Sequence, residues 1–449
     1  MSSLSRQLAD YACALRYEQL PAEVLEKARA CVLYQLGIGM AGHRLQTPWQ
    51  VMRLMRAEGA VEESTLLLGG GKTSAMNAAF ANAALFHARV QDDTHHTSHL
   101  GTVLISAGLT LAEAHGRTGR ELVEALVAGY EVAAALGREY TARTTPRGFR
   151  ASGIFGVLGA AVVASRLLQL NSVQTASAIG IAATLAGGSI QPFASGSEEF
   201  LLHNAQAARN GILAARMAAA GLCAAGAALD GPAGFLKAFA GEVGDTQAVL
   251  DGLGTRHEIL NVNFKALPVC AGNQAPLANA QALGREIGDA WLIAAIRIEM
   301  HPYEAGHPGI ACYGPFRSRV ETLMSTPFCV ALGLLGWPVD MAALQRFDDP
   351  QVLALVQRSQ VVACEELPML HSRITVELTD GRLHTRRMHL APEDLRWSFA
   401  RVAESLAGMQ AELPFDPQTL AELAARVAQL ESETEWRDLL ELICQRGDG

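Results

Sequence analysis

The chain has 449 residues, 50% of them hydrophobic and 18% charged, with a formal net charge of −9. That length exceeds one simple core and predicts two domains. The acidic balance, with no basic block to offset it, excludes nucleic acid as a main partner, and no uninterrupted apolar run is long enough to span a bilayer.

The N-terminus, MSSLSRQLADYACALRYEQL, lacks the basic start and apolar centre of a signal peptide. The eight cysteines are scattered in apolar surroundings with no C-x-x-C pair, which predicts reduced thiols in a cytoplasmic protein. Leu4 to Leu15 reads as a first helix. Pro21 opens a second that runs to about Met40, where Leu25, Ala28, Val32, Leu36 and Met40 keep one apolar face. Thr47 is the expected cap of a third, with Pro48 at its first position. Glu63 to Leu68 is extended and leads into Gly69–Ser74, GGGKTS. The strict phosphate-loop pattern fails there, because Leu66 stands where glycine is required, so a loop ending in a helix cap at Thr73 or Ser74 is expected.

Small-residue helices follow closely: Ser74 to His87, Val103 to Ala114, Gly119 to Gly137, Ala151 to Leu168, Ser172 to Gly187 and His203 to Gly221. Gly153, Gly156 and Gly159 lie near one helical face and permit close approach of a neighbour. The texture changes near Leu260. A strand is expected over Leu292 to Met300. A hairpin follows over Ser372 to Leu378 and Leu383 to His389, turning at Asp380-Gly381. Helices are expected between them at Val320 to Leu335, Asp340 to Phe347 and Pro350 to Gln357. Amphipathic helices return at Trp397 to Met409, Asp416 to Gln429 and Glu433 to Cys444. The pattern predicts a mainly α protein: residues 1–260 and 397–449 build a large all-helical domain, and residues 261–396 form a smaller inserted α/β domain.

Between the fourth and fifth helices lies the polar run QDDTHHTSHLGT, Gln91 to Thr102. Concentrated ionisable groups beside apolar walls point to a cleft floor. His99 has the side chain to take or return a proton near neutral pH; capping of the next helix or pairing with Asp93 is the alternative. Asp93, His95, His96 and His99 have the residue types of a zinc or iron site, but adjacent histidines rarely turn to one ion, and no metal is expected. Lys265, in Asn263-Phe264-Lys265-Ala266-Leu267-Pro268, falls at the proposed domain junction. There a desolvated lysine acts as a base or holds a carboxylate, against the alternative of a linker surface lysine. Arg150 and Arg209 carry the guanidinium fork that matches a carboxylate. His203 either meets substrate or caps its helix.

QDDTHHTSHLGTVLISAGLTLAE resembles the signature segment of the MmgE/PrpD family. RGFRASGIFGVLGAAVVASRLLQLNSVQTASAIGIAATLAGG, HNAQAARNGILAARMAAAGL, NFKALPVCAGNQAPLANA and STPFCVALGLL resemble its later segments in the right order. The family includes 2-methylcitrate dehydratases, cis-aconitate decarboxylases and iminodisuccinate epimerases. The resemblance implies a large helical domain, a smaller α/β lid, a homodimer and a cofactor-free site between the domains, acting on a small carboxylic acid. Thr94, His99 and Lys265 match family active-site positions. Val90, Arg150, Phe200 and Phe328 depart from an aspartate, a histidine, a lysine and a tyrosine of the family pattern. The site expected from residues and resemblance together is His99, Lys265 and Asp93 for catalysis, with Thr94, His95, Arg150, His203 and Arg209 for binding. Elimination or decarboxylation after proton removal next to a carboxylate is the first reading. Epimerisation of an amino- or imino-dicarboxylate is the second. A non-catalytic helical dimer, motivated by the departures, is the third.

Overall fold

The computed structural model describes residues 2–444; Met1 and the end of the expected C-terminal segment, from 445, lie outside them. The protein is mainly α with small sheets. Helices α1 (Leu4–Ala14), α2 (Ala22–Ala41), α3 (Gln46–Ala57), α4 (Ala75–His87), α5 (Leu100–Ala114), α6 (Gly119–Thr144), α7 (Ala151–Leu167) and α8 (Ser172–Thr184) lie close to the expected positions. Helix α3 starts one residue before Thr47, whose hydroxyl donates to Glu198 instead of capping. Helix α6 continues well beyond Gly137, because Tyr140, Thr141 and Thr144 bury the same face. The GGGKTS segment is a hairpin turn between β1 (Ser64–Thr65) and β2 (Lys72–Thr73), and Ser74 caps α4 through Asn77 N at 3.3 Å.

Helix α7 is buried on every side, and small residues make that possible. A Cβ on Gly159 would come within 2.8 Å of Gly129 O on α6, and one on Gly153 within 2.2 Å of Gly187 O. Helix Phe200–Ala219 crosses α7 at Gly211, where a Cβ would lie 2.3 Å from the Ala160 methyl. Each glycine therefore exchanges side-chain volume for backbone contact.

A second cluster of buried residues surrounds a four-stranded sheet in the order β4-β3-β5-β6. Strands β3 (Ile293–Met300), β5 (His371–Leu378) and β6 (Leu383–His389) form the expected strand and hairpin. Strand β4 (Ser359–Ala363) was not anticipated; it runs parallel to β3, with Ile296 opposite Ser359. The single helix expected over Val320 to Leu335 is two, Arg319–Met324 and Thr326–Leu334. Ser325 turns extended between them, and its hydroxyl accepts from Phe328 N at 3.1 Å. The expected helix Asp340 to Phe347 shrinks to a 3-10 turn at Ala343–Gln345.

The two expected boundaries of residues 261–396 lie side by side. Phe264 N donates to Leu395 O at 2.7 Å. One residue earlier, Asn263 and Thr94 exchange backbone hydrogen bonds at 2.8 Å each. The polar run is thereby stitched to the strand that carries Lys265. Gly211→Ala forces a methyl into the Ala160 backbone, so it should destabilise the protein by about 1–3 kcal/mol. Chemical denaturation measures this; an unchanged midpoint would mean that the two helices separate freely.

Candidate functional site

Apart from His96 and Thr97 the polar run is interior, not surface: Asp92 is 0% and His99 6% exposed. His96 within it (φ 51°) and the adjoining Val90 (φ 56°) adopt left-handed backbone. A β-branched residue there is strained by roughly 1–3 kcal/mol. The turn at Val90 has a use, since its carbonyl accepts from the ammonium of Lys265.

Asp92 is the hub. Its Oδ2 accepts from His87 Nδ1 at 2.8 Å and Thr102 Oγ1 at 2.6 Å, and lies 3.2 Å from His99 Nδ1. Its Oδ1 is 3.8 Å from Lys265 Nζ. Burial pushes the carboxyl up, but the pull of His87, His99 and Lys265 outweighs it and holds Asp92 well below the usual carboxylate range. His99 Nδ1 also faces Asp93 O at 3.0 Å. Both neighbours are acceptors, so Nδ1 carries the proton and Nε2 is left with a lone pair. Burial, helped by the charges of Lys265 and Arg150, drives His99 down to about 3 against the attraction of Asp92. The ring is neutral at pH 7. Lys265 is buried at 2% exposure, and burial lowers it, opposed chiefly by Asp92.

Arg150 precedes α7 and anchors its own N–H to Gly188 O at 2.9 Å. Its guanidinium stands 4.8 Å over the Phe193 ring, and its Nε is buried without a partner. Burial lowers it to about 10. His203 Nδ1 is likewise unpartnered, and burial, then Arg150 and His87, push that ring down to about 4. Phe200 packs at 5.2 Å against both His87 and Phe193.

The structure therefore gathers His99, Lys265, Arg150 and His203 from the expected set. Thr94 contributes its backbone bridge to Asn263. Asp93 lies behind the others. Its carboxylate accepts from Gly101 N at 2.9 Å and from Tyr130 Oη at 2.8 Å, so it anchors the start of α5. A Cβ on Gly101 would lie 2.7 Å from that carboxylate, so only glycine fits. His95 points elsewhere, to Glu258 Oε2 at 3.1 Å. Arg209 is half-buried and makes no hydrogen bond or ion pair with the described residues. Residues that sequence reasoning missed are Asp92, His87, Thr102 and Tyr34, whose hydroxyl ties Gln91 O to Lys265 O, the latter at 2.7 Å. His87 closes an alanine-rich helix five positions before Asp92, and that spacing was the available signal.

His87, Asp92 and His99 offer three donor atoms within 4.8 Å of one another, the residue types of a metal site. Both imidazoles already give Nδ1 to Asp92, and an ammonium stands at its other oxygen. A dication there would displace two hydrogen bonds and face Lys265.

Asp93 makes the fold pH-sensitive. Burial, reinforced by Asp92, raises it to about 7, above its unfolded value of about 3.9. A folded state that holds the proton more tightly loses stability as pH rises through that window, by at most about 1.4 kcal/mol per pH unit for one group. Asp92 behaves oppositely, contributing above about pH 4 and failing only in acid. Asp93→Asn keeps an acceptor for Gly101 N and cannot ionise. Its denaturation midpoint should therefore fall less between pH 5 and pH 8 than that of the unmodified protein; parallel profiles would remove Asp93 as the cause.

A family model described as the MmgE/PrpD N-terminal domain matches residues 6–247. The chain is 24% identical to a cis-aconitate decarboxylase-like protein, oryM, of Aspergillus oryzae, over 98% of this chain and 97% of that one. It is also 24% identical to a cis-aconitate decarboxylase of Aspergillus terreus, over 85% of this chain and 83% of its relative. A mouse cis-aconitate decarboxylase is 24% identical over 90% and 88%.

Proposed function

The chain belongs to the MmgE/PrpD family, and from that premise we propose that it is a cofactor-independent lyase acting on a small carboxylic acid. The observation that carries this reading is the His87–Asp92–His99 arrangement with Lys265 on the same carboxylate. Asp92 fixes the tautomer of His99, so Nε2 is the proton acceptor. Removing the proton next to the substrate carboxylate leaves an electron pair that spreads into that carboxylate as an enediolate. Lys265 and Arg150 stabilise the growing charge. In an elimination, the pair re-forms as a double bond while the leaving hydroxyl takes a proton from Lys265. In a decarboxylation no proton is removed first: the carboxylate departs as carbon dioxide, its bonding electron pair stays on carbon, and Lys265 delivers one proton to that carbon.

A histidine held at about 3 is a weak base in the empty site. Part of that depression comes from the Arg150 charge, and a substrate carboxylate against Arg150 offsets it. Base strength therefore rises as substrate binds, which confines proton removal to the occupied site. On this reading residues 261–396 act as the lid: Lys265 sits at its root, and Asp92, His99, Arg150 and Lys265 are buried until the lid opens. The homodimer belongs to the same proposal.

Incubation with small unsaturated and hydroxylated acids in deuterium oxide, followed by NMR, tests the reaction. A lyase yields an alkene or carbon dioxide. Recovery of deuterated, epimerised substrate without either product would replace this reading with epimerisation, and no change in any acid would favour a binding protein. His99→Asn and Lys265→Met should each lower kcat by about 10²–10⁴-fold; His99→Asn should melt near the parent, whereas Lys265→Met, which strips an ammonium from the buried Asp92 carboxylate, should also melt lower.

A further inference from the structure

Resting on the lyase reading of this site, we propose that the substrate carries a single ionised carboxylate. It sits on Arg150 beside His203, with an uncharged arm against Phe193 and Phe200.

The argument begins with a charge inventory. Two permanent cations reach the site, Lys265 and Arg150. Lys265 is already matched, with Asp92 Oδ1 at 3.8 Å and the Val90 carbonyl on its ammonium. Arg150 is matched by nothing: among the described residues its side chain makes no hydrogen bond or ion pair, and it is only 6% exposed. Asp92 is the sole carboxylate that acts on it, and that charge is shared with Lys265. The neighbouring histidines are neutral near pH 7, with His203 at about 4 and His99 at about 3. Asp93, lifted to about 7, stands behind Asp92 on Tyr130 and Gly101 N with the Lys27 charge acting on it, so Arg150 is left without a carboxylate of its own.

A buried guanidinium without a partner is costly, and a bound anion cancels that cost. One carboxylate does so. A second or third would enter with no cation to meet it and would pay the same desolvation unrelieved. The surroundings of Arg150 agree. A second buried atom without a partner is His203 Nδ1, on a ring that the Arg150 charge reaches; with its proton on Nδ1 that ring can donate to a carboxylate oxygen. Phe193 lies under the guanidinium, and Phe200 stands between Phe193 and His87. Those two rings offer dispersion contact to a hydrocarbon arm.

Crotonate, itaconate and cis-aconitate form a probe series with one, two and three carboxylates. NMR titration of the full chain at pH 7 should find affinity highest for crotonate and lower by about tenfold or more for each added carboxylate. Arg150→Gln should weaken crotonate on the order of 100-fold, and Arg150→Lys less. The same Arg150→Gln variant should melt higher than the parent without ligand, because it removes an unpaired buried charge; a structural arginine would do the reverse. Cis-aconitate or itaconate binding as tightly as crotonate, crotonate binding unchanged in Arg150→Gln, no binding in the series, or a lowered melting temperature would overturn the proposal. The lyase reading fails separately: the affinity order holds but no acid yields alkene or carbon dioxide. Turnover of a tricarboxylate bound most tightly would keep that reading and sink this one.

Discussion

A carboxylate cut off from water must be surrounded by donors, and Asp92 is the carboxylate on which this molecule converges. Its donors come from four places in the chain: His87 at the end of α4, His99 before α5, Thr102 within α5 and Lys265 far downstream. Removing one of them leaves the others facing an undersatisfied charge, so the four positions constrain one another. This explains why a strained turn at Val90 persists. The turn aims a carbonyl at Lys265 and lets Asp92 follow at the right place; relaxing it would cost contacts worth more than the strain.

The fold supplies what such a cluster needs. The helical body packs through glycine and alanine, so its helices approach closely and bury most of the polar run. Lys265 arrives because the chain leaves that body just past Asn263, which is bonded to Thr94. The return passage at Leu395 is bonded to Phe264, and Tyr34 on α2 holds the Lys265 backbone from below. The lysine is thus fixed by the crossing point between two buried clusters and not by a helix face. Relative motion of the clusters would move Lys265 against Asp92, and opening and site assembly would be one event.

Much of this was legible in the sequence, and the exceptions have physical causes. Apolar periodicity located the long helices to within a few residues, and the Asp-Gly turn located the hairpin. Strand β4 was missed because five residues, Ser359 to Ala363, carry too short a pattern beside a helix. The polar run pointed to a site; His99 within it and Lys265 at the proposed junction stand 3.2 and 3.8 Å from the Asp92 carboxylate. The choice between Asp92 and Asp93 was beyond sequence. In a loop with left-handed residues on either side, alternation says nothing about which carboxylate faces which wall. His87 was hidden for the opposite reason: within an alanine-rich helix a buried histidine looks like core. Arg209 was attractive for its residue type, and among the described residues it makes no hydrogen bond or ion pair.

Two aspartates in sequence, both buried, end with opposite proton affinities. Asp92 is surrounded by imidazoles and an ammonium and stays ionised. Asp93 meets a tyrosine hydroxyl and one backbone N–H, feels its neighbour's charge, and is lifted to about 7. Adjacent like charges cannot both ionise freely in a dry site, so the environment pushes their titrations apart. The consequence reaches His99. With Asp92 charged and Asp93 able to hold a proton, the imidazole has one firm anionic partner at Nδ1 and none at Nε2. That asymmetry orients the ring, and burial, helped by the charges of Lys265 and Arg150, keeps the same ring neutral. A single unmatched cation thus bears on both what the site binds and when its base becomes strong.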